Sequence, residues 1–169
     1  MKDSFKAQEE MNNVILDSIG EAVIIIEPGG RIIRNCNVVT EDLFGYKKSE
    51  LIGRETSILH VSREHYRQFG KESEAVLNRG EIYRGESQMK RKDGSVIETY
   101  HTVSALHKDR GWEEGVVSVI RDITEQKETK KQLQKNLHER SILLAEMHHR
   151  VKNIWPSLPV FSTCRLKPQ

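Results

Sequence analysis

The stretch NVVTEDLFGYKKSELIGRE, Asn37 to Glu55, decides the fold. Asn37 stands directly before a run of helical character. Its side-chain oxygen can accept one of the amide hydrogens that the first turn of a helix leaves unpaired. Gly45 closes that run, where the chain is expected to turn and a Cβ to clash. Gly53 and Gly70 interrupt the residues beyond it. From Val38 to Gly80 the pattern therefore predicts several short helices instead of one long one.

Outward from this segment the character changes on both sides. Upstream, EAVIIIEPGGRIIRNCN (Glu21 to Asn37) reads as strand, turn, strand, because β-branched residues flank the Pro-Gly-Gly punctuation. Before it, MNNVILDSIG places Met11, Val14, Ile15 and Ser18 at helical spacing, with Gly20 as a stop. Downstream, the chain from Glu81 to Thr124 returns to strands. Asp93-Gly94 signals a hairpin, expected as a type I′ turn with positive φ at both positions. HKDRG, His107 to Gly111, marks a second turn. Two strands, small helices and a three-stranded meander predict an α+β domain, an antiparallel sheet with helices packed on one face.

These pieces, taken in order, resemble the PAS sensor family. The matching elements are Asn37, then Tyr46 nine residues on, then Glu50-Leu51-x-Gly53, then RKDGS (Arg91 to Ser95) and the closing RDITEQK (Arg121 to Lys127). The resemblance covers about residues 12–124, with residues 1–11 left as an N-terminal helical segment. It implies the PAS fold, a five-stranded antiparallel sheet with short helices on one face and a cavity that holds a small ligand or nothing. It also marks Asp122 and Thr124 as the junction through which such domains pass signals outward. Asp122 suits local hydrogen bonding there and Thr124 suits capping the next helix. Two cofactors can be tested on the residues. Flavin photoreceptors of the family carry a reactive cysteine where GRETS has Thr56, and a hydroxyl cannot form the thiol adduct. Haem members place a histidine near Gly70 of YRQFGKE, although His65 lies earlier on the same helix. Covalent-adduct flavin and haem are therefore not expected, and the cofactor is left unknown. In VIETYHTVSAL, Ile97, Thr99, His101 and Val103 share one face at period two. If that face is the inner one, His101 is a ligand-binding candidate; otherwise it is a core histidine or faces outward.

From Glu125 to Asn153 the chain has no Gly or Pro and is rich in helix formers. Leu133, Leu137, Leu144, Met147 and Val151 step by threes and fours, with one turn skipped at Arg140. This makes a two-stranded coiled-coil seam, and the alternative is one amphipathic helix packed on its own domain. A helix of this length reaches ~43 Å. With Leu144 and Val151 at heptad position a, His148 falls at e and His149 at f, the position furthest from the seam. LLAEMHHRVKN, Leu143 to Asn153, resembles the phosphoacceptor box of sensor histidine kinases of the His-Arg-x-Lys-Asn branch. The resemblance implies that His149 accepts a phosphoryl group and passes it to a response regulator. His148, Arg150, Lys152 and Asn153 complete the box, with Arg150 and Lys152 supplying positive charge.

After Asn153 the composition shifts abruptly. IWPSLPVFSTCRLKPQ contains Pro156, Pro159 and Pro168, no acidic residue and no helical period. Residues 154–169 are expected to form an irregular tail, as a shifted frame or a truncation before the ATP-binding domain would leave. Over the whole chain, 27 basic and 25 acidic residues give a net charge of +2. That balance argues against nucleic acid and anionic membranes as partners. Cys36 and Cys164 share no metal-ligand spacing, so no metal is expected, and they fit a reducing compartment. No apolar run approaches a membrane span and MKDSFKAQEEMNN has no signal-peptide core, so a cytoplasmic location is expected. The sequence thus reads as the sensing module of a two-component histidine kinase, inactive alone as an enzyme. The expected partners are a second copy, a kinase, a response regulator and a small molecule. The alternative is a PAS dimer acting as adaptor or decoy for a full-length kinase.

Overall fold

A computed structural model describes residues 14–15, 17–29, 31–107 and 111–154, with the backbone alone for 152–154. The chain divides into two compact units, Met1–Lys127 and Glu128–Gln169. In the first, β1 (Ala22–Glu27), β2 (Ile32–Cys36), β3 (Tyr83–Lys90), β4 (Val96–Ala105) and β5 (Val116–Asp122) form one sheet. Its order is β2-β1-β5-β4-β3, and every pairing is antiparallel. Between β2 and β3 run α1 (Val38–Phe44), α2 (Lys48–Leu51), the short 3-10 turn η1 (Thr56–Leu59) and α3 (Arg63–Leu77). A second 3-10 turn, η2 (Gly111–Glu114), precedes β5, and α4 (Thr124–Ile154) follows it.

β1 forms where β-branched residues run without Gly or Pro, in AVIIIE. Alternation then sets the faces. Ile97, Thr99, His101 and Val103 of β4 are buried, as are Val116, Ser118 and Ile120 of β5. The helices cover this inner face, and Phe44, Leu51, Leu59 and Leu77 drop into it fully buried. Burial of Phe44 alone is worth about 2–3 kcal/mol.

Asn37 pins the entry to the helical layer. Its Oδ1 accepts from Thr40 N at 3.1 Å, capping α1, and from Val23 N at 2.9 Å. Its Nδ2 donates to the Glu21 carbonyl at 2.8 Å. One buried amide thus caps a helix and ties it to β1. Gly45 ends α1 at φ +73°. The expected clash is not the reason: a Cβ there would meet only Lys92 Cβ, at 3.8 Å, so the left-handed backbone alone favours glycine.

Two further expectations need correction. The β3–β4 hairpin is not a two-residue type I′ turn. Asp93 has no positive φ and only Gly94 does, at +87°. Gly94 N donates to the Arg91 carbonyl at 3.0 Å, and Asp93 Oδ1 accepts from Ser95 N at 2.8 Å. Five residues separate the strands, and the Asp93 side chain organises the turn in place of a mirror-image backbone. Gly70 does not interrupt a helix either. It lies buried inside α3, where the Arg31 guanidinium crosses it, and a Cβ there would collide with Arg31 Nη1.

Of the second unit, Glu128 to Val151 are helical and exposed. The whole of α4, 31 residues, spans about 46 Å. No helix among the described residues is long and apolar enough to cross a membrane. Met11, residues 1–11 as a segment, the three prolines after Asn153, and Cys164 lie outside the described residues.

Candidate functional site

The inner face of the sheet and the helical layer leave a cavity of about 30 Å³. Its walls are largely apolar, with Ile24, Met89 and Ile120 from the strands, Leu59 from η1 and Phe69 from α3. The polar exceptions include Thr56, His60, Ser73 and His101. His101 is 1% exposed, and its Nδ1 has no hydrogen-bond partner among the described residues. Its Nε2 lies 2.9 Å from Thr99 Oγ1, and the Phe69 ring stands edge-on at 4.8 Å.

Two further histidines adjoin it. His60 Nδ1 and His65 Nδ1 are 3.2 Å apart, and His65 Nε2 is 3.2 Å from Ser87 Oγ on β3. Burial pushes His60 down to about 3 and His101 down to about 4, each reinforced by the charge His65 would carry. Both rings are therefore neutral at physiological pH. Among the described residues, no cluster of three or more His, Cys, Asp or Glu side chains could hold a metal. Thr56 lines the cavity, whereas Cys36 is a free thiol buried in the core near α1. Burial raises its pKa, which holds it as the unreactive thiol.

Arg31 and Trp112 border this cavity and also an outer groove beside α3. Arg31 adopts φ +51° and lays its guanidinium over the Tyr66 ring, 3.3 Å from the centroid. Its Nη1 donates to the Tyr66 carbonyl at 2.8 Å. Tyr66 OH in turn donates to Glu55 Oε1 at 2.7 Å. Desolvation, then this bond, raises Tyr66 to about 12, and the same bond holds the Glu55 carboxyl below its usual range. The partition between groove and cavity is thus a fixed cation over a neutral phenol.

At the far end of the sheet, Asp122 and Thr124 form a knot. Asp122 Oδ1 accepts from Thr124 N at 2.9 Å, and Asp122 Oδ2 accepts from Arg91 Nη2 at 3.1 Å. The Thr124 hydroxyl does not cap α4. Thr124 is the first residue of the helix and not the one before it, and its hydroxyl accepts from Glu98 N on β4 at 3.0 Å. Lys127 Nζ, one turn further, bridges Glu86 and Glu98 at 2.7 Å each. Those two bonds raise the Lys127 pKa, and Lys127 lowers that of Glu98. The first turn of α4 is therefore tied to β3, β4 and β5. In the second unit, His148, His149 and Arg150 lie on α4 and are exposed, and Arg150 Nη2 pairs with Glu146 Oε1 at 2.6 Å. Lys152 and Asn153 continue the helix by their backbone, their side chains lying outside the described residues.

A family model for the PAS domain matches residues 20–125, well over half of the chain. The chain belongs to the PAS domain family. The match ends before the helical box. Sensor protein TdiS of Thauera aromatica is 31% identical over 125 residues, covering 72% of this chain and 23% of that protein. The cell-division control histidine kinase PdhS of Brucella ovis is 27% identical over 165 residues, covering 89% of this chain and 15% of its own length. The chain thus spans less than a quarter of these curated relatives. Among solved structures, the PAS domain of a Colwellia psychrerythraea protein superposes with a TM-score of 0.60 at 26% identity, over 69% of this chain and 97% of that one. A PAS domain of a LuxR-family regulator from Burkholderia thailandensis gives 0.59 at 21%, over 65% and 95%, a likeness of fold alone. The PAS domain here is related to the sensing parts of histidine kinases.

Within this PAS domain, His101 was the cavity residue that alternation could suggest. His60, His65, Ser87, Arg31 and Trp112 carry no such signal. His60 is buried with its ring against Tyr66 and Phe69 and its backbone in a lone bridge to Met89, a contact across 29 positions of chain that no local period announces. Arg31 is a charged residue just after a Pro-Gly-Gly turn and reads as solvent-facing until α3 is packed beneath it.

Proposed function

We propose that this chain is the sensing and signal-carrying part of a two-component histidine kinase. In this reading the PAS cavity is the input, the Asp122–Thr124–Lys127 knot the coupling, and His149 on α4 the phosphoacceptor. The observation that carries it is continuity. The helix bearing the His149-Arg150-x-Lys152-Asn153 box begins just after the last strand of the sheet and is fastened there by four side-chain contacts. The kinship with sensor kinases supports the same reading. His149 sits on an exposed stretch of helix with Arg150 beside it, as nucleophilic attack on a phosphoryl group requires. Leu133, Leu137, Leu144, Met147 and Val151 are each more than half exposed and fall on one heptad seam, so a second copy is the proposed partner for that face. The nucleotide site would come from another domain, since phosphoryl transfer needs a fold that positions nucleotide and metal. The test adds a histidine-kinase ATP-binding domain and radiolabelled ATP to the purified chain. An acid-labile label that His149→Gln abolishes and His148→Gln retains supports the proposal. A label that survives His149→Gln, or none under conditions that label an intact kinase, refutes it.

A further inference from the structure

The hydrogen-bond chain on β4 fixes the proton of His101. Thr99 has one hydroxyl hydrogen, and it donates to the Ser87 carbonyl at 2.7 Å. Thr99 Oγ1 can then only accept from His101 Nε2, 2.9 Å away. The ring proton is therefore on Nε2, and Nδ1 presents a bare lone pair. That nitrogen is buried and has no hydrogen-bond partner among the described residues. His101 meanwhile lines the cavity. A buried acceptor without a donor is disfavoured, and the cavity is where a donor can be placed.

We propose that the cavity takes a small uncharged hydrogen-bond donor, a hydroxyl or N–H compound, held at His101 Nδ1. This deepens the sensor reading and rests on it. The walls exclude the other classes. Among the described residues no carboxylate lines the cavity to receive a cation, and the Nδ1 lone pair repels an anion. The one formal cation that the described residues place at the wall, Arg31, is already engaged with the Tyr66 carbonyl and ring. The volume of about 30 Å³ admits an occupant of roughly one to three non-hydrogen atoms. The shared chemistry thus runs from a trapped water to a very small organic donor. Protonation of His101 would replace the acceptor by a second donor and end the interaction, and its depressed pKa keeps that from happening above about pH 4.

The test is a two-bond proton–nitrogen correlation on the nitrogen-15-labelled full chain at pH 7. Methanol is titrated as a donor, and acetonitrile as a neutral compound that accepts but cannot donate. The expected result is a protonated Nε2, an unprotonated Nδ1 whose signal moves saturably with methanol, and no such movement with acetonitrile. His101→Phe keeps an aromatic ring without the acceptor nitrogen and should weaken methanol binding by about fivefold or more. If Nδ1 is instead already hydrogen-bonded, shows cross-relaxation with a long-lived water and ignores methanol, the donor is water and the inference stands. A proton on Nδ1, equal binding of both probes, or a bare Nδ1 that responds to nothing overturns it. The wild-type tautomer needs no variant, so a His101→Phe chain that failed to fold would leave the test intact. Failure of the sensor reading shows elsewhere, as His149 labelling that ignores the cavity while Nδ1 still answers methanol.

Discussion

His60 and His101 are the residues whose charge the fold forbids. Unfolded, each titrates near 6.5; folded, they titrate at about 3 and about 4. Between those values the unfolded chain binds protons that the native chain does not, so stability rises with pH through this window and is fully present above about pH 6.5. Going down from pH 6.5 to pH 4, urea midpoints of the sensor unit should fall, at up to about 1.4 kcal/mol per pH unit for each histidine. His101→Phe should shallow that slope. An unchanged slope in the variant would show that His101 is protonated in the native state after all. Asn37 makes a different kind of demand. Asn37→Ala strands the buried Val23 amide and uncaps α1, and should cost about 2–4 kcal/mol by chemical denaturation. A loss below about 1 kcal/mol would mean that water replaces the side chain.

At the scale of elements, the coupling knot and the exposed seam carry the consequences. Lys127→Ala removes both carboxylate bridges from the first turn of α4. Amide exchange at 124–128 should accelerate while β1 and β5 stay protected. If exchange in that turn is unchanged, Asp122 and Thr124 fasten the helix without Lys127. The order of elements was legible in the sequence because it rests on local signals. Asn37 before a helix, Pro-Gly-Gly between β-branched runs and the period-two face of β4 each act within a few residues. The interior of the site was legible only along β4, at His101 and its period-two neighbours. Thr99 and His101 share an alternation, but the Thr99 hydrogen is committed by Ser87 on the neighbouring strand, which depends on the β3–β4 register. Gly70 was read as a break because glycine is a poor helix former. Its use is long-range, as the floor under Arg31, and no window along the chain contains both residues.

For the whole molecule, the proposal joins a buried input to an exposed acceptor through one helix. The seam on that helix predicts a parallel dimer, so light scattering should give about twice the 19.5 kDa chain mass. Leu137→Asp should shift it toward monomer, since a seam carboxylate would have to be desolvated. A wild type that stays monomeric at high concentration would remove the dimer from the scheme. The most direct measurement of the central claim is the initial rate of His149 labelling by an added ATP-binding domain, compared between wild type, His101→Phe and Lys127→Ala. The account predicts that both variants, though folded and with His149 intact, change the rate by about twofold or more, because a coupling of even half a kcal/mol reaches that size. Identical rates in all three chains would contradict it, showing that the cavity and the phosphoacceptor do not communicate.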